Sequence, residues 1–363
     1  MKRHGILAAM IVAVCSSSAF AGPVVISSGT GRLSPRQPQA AVSTDGTIHV
    51  VYGSGDAVFY SRSTDSGATF SRPEHAFDSS NLPLGMRRGP RVAASKDSVV
   101  VTAIGGAMGK GKDGDVLAWR RTPDGKWSGP VRVNDVDDSA REGLHAMASS
   151  PSGVLWCAWL DLRTKGMKVY ASHSTDGGQT WSPNVPVYKS PDGSVCECCH
   201  PSIVVGPDER PHVLFRNQLE GNRDMYVISG NANGDFTGAT LHGDSHWPLN
   251  RCPMDGGMLA IDGAGRVATA WRREEEVFVT IAGREQKLGS GKQPWMTFLG
   301  DRPLVLWVEK NDGPLLEWRG ADSKVVADVA RDPVVVTSGK GKAFACWESV
   351  TGEDRAIVGM AIE

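Results

Sequence analysis

The side chains best placed to do chemistry in this chain are sulfur and guanidinium groups gathered at a few points. Cys196, Cys198 and Cys199 stand in the run Cys-Glu-Cys-Cys-His that ends at His200, and Cys252 stands in Trp-Pro-Leu-Asn-Arg-Cys-Pro. Thiolate and imidazole donors together suit Cu(I) or zinc. Copper ranks ahead of zinc, and the spacing matches no recognised zinc-finger pattern. The adjacent pair Cys198-Cys199 is also awkward to satisfy with two unstrained disulfides. A loop staple is the competing use: four cysteines allow three pairings, and one bridge could tie the 196–199 cluster to Cys252. A redox-active dithiol is a third. His145, His246, Met254 and Asp255 would come within reach if these loops meet. Cys157 in Trp-Cys-Ala-Trp and Cys346 in Ala-Cys-Trp read instead as small apolar residues inside strands.

Positioning such distant groups together requires a closed architecture, and internal repetition supplies one. A polar lead-in, an alternating strand, a Gly or Asp turn and a second strand ending in an aromatic or apolar residue recur along the chain. The copies run from Arg36-Gln37-Pro38 to Tyr52, Arg88-Gly89-Pro90 to Ile104, and Glu142 to Trp159. They continue from His200-Pro201 to Phe215, Pro253 to Trp271, Gln293-Pro294 to Trp307, and Asp332-Pro333 to Trp347. The spacing is about 52 to 57 residues early and about 40 late, inside the range of four-stranded propeller blades. The expected fold is an all-β single β-propeller of seven four-stranded blades, with six as the alternative count. Val24-Val25-Ile26 should add an outer strand to the last blade and close the ring.

Two turns carry a stricter signature, Ser63-Thr-Asp65-Ser-Gly67-Ala-Thr-Phe70 and Ser174-Thr-Asp176-Gly-Gly178-Gln-Thr-Trp181. Looser versions stand at Thr122–Trp127 and Asn231–Phe236. Each reads as a hairpin between third and fourth strands: Asp accepts backbone hydrogen bonds, Gly takes a positive φ, and the aromatic packs back between strands.

Composition narrows the partners. Lys plus Arg number 39 against 40 for Asp plus Glu, so no cationic excess exists to drive nucleic-acid or anionic-membrane binding. Lys2-Arg3-His4, the apolar run Ile6–Val14 and Ala19-Phe20-Ala21 read as a secretory signal peptide cleaved after Ala21. Val14 before Cys15 makes a poor lipoprotein-processing site. The expected division is residues 1–21 as signal peptide and 22–363 as one propeller domain, periplasmic or secreted and monomeric, with no transmembrane segment.

The two strict turns resemble Asp-box (BNR) repeats of the sialidase superfamily. The wider pattern, with Phe-Arg-Asn and the cysteine run, is similar to bacterial secreted proteins labelled exo-α-sialidases. The resemblance implies a substrate carboxylate held by three arginines, the first in an Arg-Ile-Pro motif leading into the first blade. Arg36-Gln37-Pro38 is similar in position and in two of three residues, so Arg36 is the first candidate, and the guanidinium fork matches a carboxylate. Arg216 and Arg272 stand at loop starts where further arginines could converge; rim ion pairs are the plainer use. The resemblance also implies a tyrosine nucleophile from the later blades. The chain has five tyrosines, at 52, 60, 170, 188 and 226, so the expected late tyrosine is missing. Glu309 or Glu348 could take its place. Three functions therefore stand open: a sialidase-like propeller that binds or hydrolyses a glycan or other anionic small ligand at the channel mouth, a copper-binding or thiol-redox propeller, and a non-catalytic scaffold.

Overall fold

The computed structural model describes residues 22–95, 98–339 and 341–363, so the expected signal peptide lies outside the described residues. Apart from one 3-10 turn at Gly31–Leu33, the described elements are strands. Five antiparallel sheets have four strands each and begin with the inner strands Arg36–Val42, Arg91–Ala94, His145–Ser149, Ser202–Val205 and Met258–Ile261. A further sheet is continuous over seven strands and opens with Lys292–Leu299.

The seven-stranded sheet departs from the expectation of separate four-stranded units. Its long strand, Lys324–Gly339, pairs through its first half with Gly313–Trp318 and through its second half with Lys342–Thr351. Between the first five sheets a loop leads from one outer strand to the next inner strand, and the single residue Gly291 separates Arg284–Ser290 from Lys292–Leu299; here the change of partner falls at Ala330 and Arg331, with no loop between. The shorter late repeats leave no residues for one.

Adjacent sheets bury their faces against each other in a cycle. Val51, Tyr60 and Phe77 of the first sheet pack on Val101 and Trp119 of the second, and Val100 and Ala118 pack on Leu155 and Trp159 of the third. Trp156 and Val169 meet Ile203 and Phe215, Leu214 and Met225 meet Leu259 and Trp271, and Ala270 and Val277 meet Met296 and Trp307. Leu306, Phe344 and Trp347 then return to Ile48 and Val50 of the first sheet. Burial of apolar faces at roughly 25 cal/mol per Å² drives this closure. Val24–Thr30 completes it by pairing antiparallel with Asp354–Ile362, which places the N-terminal strand where its sequence predicts.

The strict turns superimpose in their bonding. Asp65 Oδ1 accepts from Ser63 Oγ at 2.7 Å and Thr69 N–H at 2.9 Å, and Oδ2 accepts from Thr69 Oγ1 at 2.5 Å. Asp176 does the same with Ser174 and Thr180 at 2.8, 2.9 and 2.6 Å. Gly67 has φ +90° and a Cβ there would lie 2.7 Å from Phe344; Gly178 has φ +86° and a Cβ would lie 2.8 Å from Val100. Phe70 packs against Phe344, with ring centroids 5.3 Å apart, and Trp181 joins the cluster holding Val100. Each turn therefore fastens its own sheet to the preceding one.

Candidate functional site

The lead-ins to the inner strands share a local device. Arg36-Gln37-Pro38, Arg88-Gly89-Pro90, Lys292-Gln293-Pro294 and Arg331-Asp332-Pro333 each place a basic residue, a residue with positive φ and a proline in succession. The middle residues have φ +56°, +95°, +55° and +48°. In three of them a register shift falls at this point, between Arg36 and Gln39, Lys292 and Trp295, and Arg331 and Val334. Such a bulge re-aims side chains at a strand end, where proline can be accommodated.

The result is a cavity of about 320 Å³ where three of these lead-ins, those at Arg36, Lys292 and Arg331, converge. Five cations line it, Arg36, Arg272, Lys292, Arg331 and Arg355, with three carboxylates, Asp255, Asp332 and Glu348. Arg355 donates to Glu348 at 2.7 Å, Arg272 Nε lies 3.5 Å from Asp255, and Arg331 pairs with Asp312. Arg36 and Lys292 form no ion pair with any described residue. Their charge is available to an anion.

The carboxylates are held by amides of the lead-ins. Gln37 donates its backbone N–H to Glu348 at 2.7 Å and its side-chain amide to Asp332 at 2.5 Å. Gln293 accepts from Asp332 N–H at 2.8 Å and donates its own N–H to Asp255 at 2.9 Å. Burial, then the neighbouring charge of Asp332, pushes the Glu348 carboxyl up to about 7. Burial also raises Asp332, against the pull of Arg87. Arg87 itself is buried and reaches past the first sheet to donate to the carbonyls of Pro333 at 2.9 Å and Gln293 at 2.5 Å. Its Nε lies 3.5 Å from Asp332, and its guanidinium covers Trp295.

Of the arginines singled out in the sequence, Arg36 and Arg272 line this cavity and Arg216 does not. Arg216 is only 1% exposed, and donates to the carbonyls of Arg223, Asp255 and Arg272 at 2.7, 3.1 and 2.8 Å. It supports the cavity wall. None of the five tyrosines lines the cavity, whereas Glu348 does and Glu309 does not. Tyr60 bonds His49, Tyr188 bonds Asn217, and Tyr52 stacks on Phe59. Asp161 is buried and engaged by Arg163 and Trp159. Sequence reading missed Gln37, Arg87, Lys292, Arg331 and Arg355. The recurring basic-X-Pro triplet was a usable signal for Lys292 and Arg331.

The cysteines divide. The sulfurs of Cys196, Cys198 and Cys199 gather within 4.8 Å of one another, while His200 and the exposed Cys252 stand outside that cluster. Cys196 is held down chiefly by the thiol of Cys198, then that of Cys199; burial raises Cys199. His200 and His145 are buried, and desolvation keeps both imidazoles well below their usual range. Cys157 and Cys346 are buried free thiols among apolar residues.

Neither a protein-family model nor any curated protein sequence matches the chain. Solved structures do. A protein of unknown function from Dyadobacter fermentans is 14% identical with a TM-score of 0.58, over 94% of this chain and 98% of its own. The α-L-arabinanase of Penicillium chrysogenum complexed with arabinobiose is 13% identical with a TM-score of 0.57, over 95% and 98%. A mutant sialidase of Trypanosoma rangeli with trans-sialidase activity is 15% identical with a TM-score of 0.54, over 96% of this chain and 58% of its own. At these identities the likeness is one of fold. Together with the antiparallel sheets that bury their faces in a cycle, it defines a β-propeller fold.

Proposed function

We propose that this protein is a seven-bladed propeller, exported to the periplasm or beyond, that binds an anionic sugar in the Arg36–Arg272 cavity and cleaves its glycosidic bond. The observation that carries the reading is the lining itself. Two unpaired cations, Arg36 and Lys292, share a small cavity with Glu348, a carboxyl raised to about 7 by its burial. Such a group keeps its proton near neutrality and can hand it to a departing oxygen. The seven-blade count treats the two halves of Lys324–Gly339 as belonging to successive blades. The fold neighbours named for sialidase and arabinanase activity support a carbohydrate ligand, and the excess of cations favours one bearing a carboxylate.

Aryl glycosides of sialic acid, glucuronic acid and arabinofuranose test this. Release is expected from a carboxylate-bearing sugar and not from the arabinoside. It should fall ~10–100-fold in Arg36→Ala, the loss of one charged contact, and ~100-fold or more in Glu348→Gln. Calorimetric binding that Arg36→Ala weakens, without turnover, would leave a carbohydrate-binding scaffold. Absence of both binding and release would overturn the proposal.

A further inference from the structure

We propose that Cys196, Cys198 and Cys199 form a three-sulfur site for one Cu(I) ion, separate from the sugar cavity. Sγ of Cys196 lies 3.7 Å from that of Cys198 and 3.4 Å from that of Cys199. A disulfide would hold sulfurs at about 2.05 Å. Metal–thiolate bonds of about 2.3 Å in a trigonal plane would place them about 4.0 Å apart, about 0.3 and 0.6 Å beyond the two separations seen and far nearer to them than a disulfide is. The loop is already shaped. Val195 N–H donates to Met167 O at 2.9 Å, Cys196 N–H to Arg216 O at 3.0 Å, and Ser194 Oγ accepts from Met167 N–H at 2.9 Å.

The donor set chooses the ion. All three ligands are soft sulfurs, which favour Cu(I). Structural zinc takes four protein ligands, and no fourth His, Cys, Asp or Glu atom joins this cluster among the described residues. Cys196 and Cys199 are buried, and Cys198 is partly exposed, leaving one side open for entry and exchange of the ion. Uptake requires only that the coordinating thiols lose their protons to solvent; the ion arrives as Cu(I) and no electron is transferred.

The full chain, reduced and kept free of oxygen, would be titrated with Cu(I) in competition with bicinchoninate, with sulfur coordination read by X-ray absorption. One Cu(I) per chain with three sulfur neighbours is expected. Cys198→Ser, at the exposed ligand, should abolish competitive uptake with an unchanged circular dichroism spectrum, whereas Cys252→Ser should retain it. No uptake by the reduced wild type, uptake undiminished in Cys198→Ser, or displacement of copper by equimolar zinc would overturn the assignment.

Discussion

Glu348 and Asp332 place two acidic groups in a buried setting, and their cost depends on pH. Both carboxyls are raised in the folded protein, so each binds its proton more tightly there than in the unfolded chain. Their stabilising contribution is complete below the ordinary carboxylate range and is lost as pH rises toward about 7, the value for Glu348. Glu348→Gln should therefore flatten the fall of melting temperature between about pH 4.5 and 7, measured by calorimetry. A slope equal to that of the wild type would contradict the burial argument. Arg87 is the partner whose loss costs most, because it leaves Asp332 buried without its cation. Arg87→Met should destabilise by about 3–5 kcal/mol in urea unfolding. Arg36 and Arg272 were legible from position alone. Arg87 was not, since its partners at Gln293 and Pro333 lie far along the chain and meet it only once the ring is closed.

At the scale of elements, the Asp-box hairpins were readable in full, because every bond they make is local and the residue types dictate it. What the sequence did not reveal is their second role as fasteners between sheets. Gly67→Ala tests that role against Gly46→Ala, since Gly46 has φ +84° but open space around its Cβ position. Gly46→Ala should cost about 1–2 kcal/mol, the price of a left-handed backbone. Gly67→Ala should cost about 2–4 kcal/mol, because crowding Phe344 adds a further 1–3. Equal losses would show that the contact with Phe344 is incidental. The continuous strand Lys324–Gly339 escaped the repeat reading for a different reason. Two strands in line, without a turn residue between them, have the same alternation as one, and Asp332-Pro333 reads as a break although it sits in a bulge.

At the scale of the molecule, closure depends on a short segment, Val24–Thr30, whose residues Val24-Val25-Ile26 the sequence marked as an outer strand for the last blade. Deleting residues 22–30 should expose the edge of Asp354–Ile362, lower the melting temperature and promote association by light scattering. An unchanged, monomeric protein would show that the apolar contacts between sheets hold the ring unaided. The position of Arg87 has a further consequence. Its guanidinium donates to the carbonyls of Gln293 and Pro333, so it braces the second lead-in against the sixth and seventh across the ring. Gln293 also lines the cavity, so the side chain that holds three sheets in register fixes one wall of the site as well, and loosening the ring would loosen the site with it.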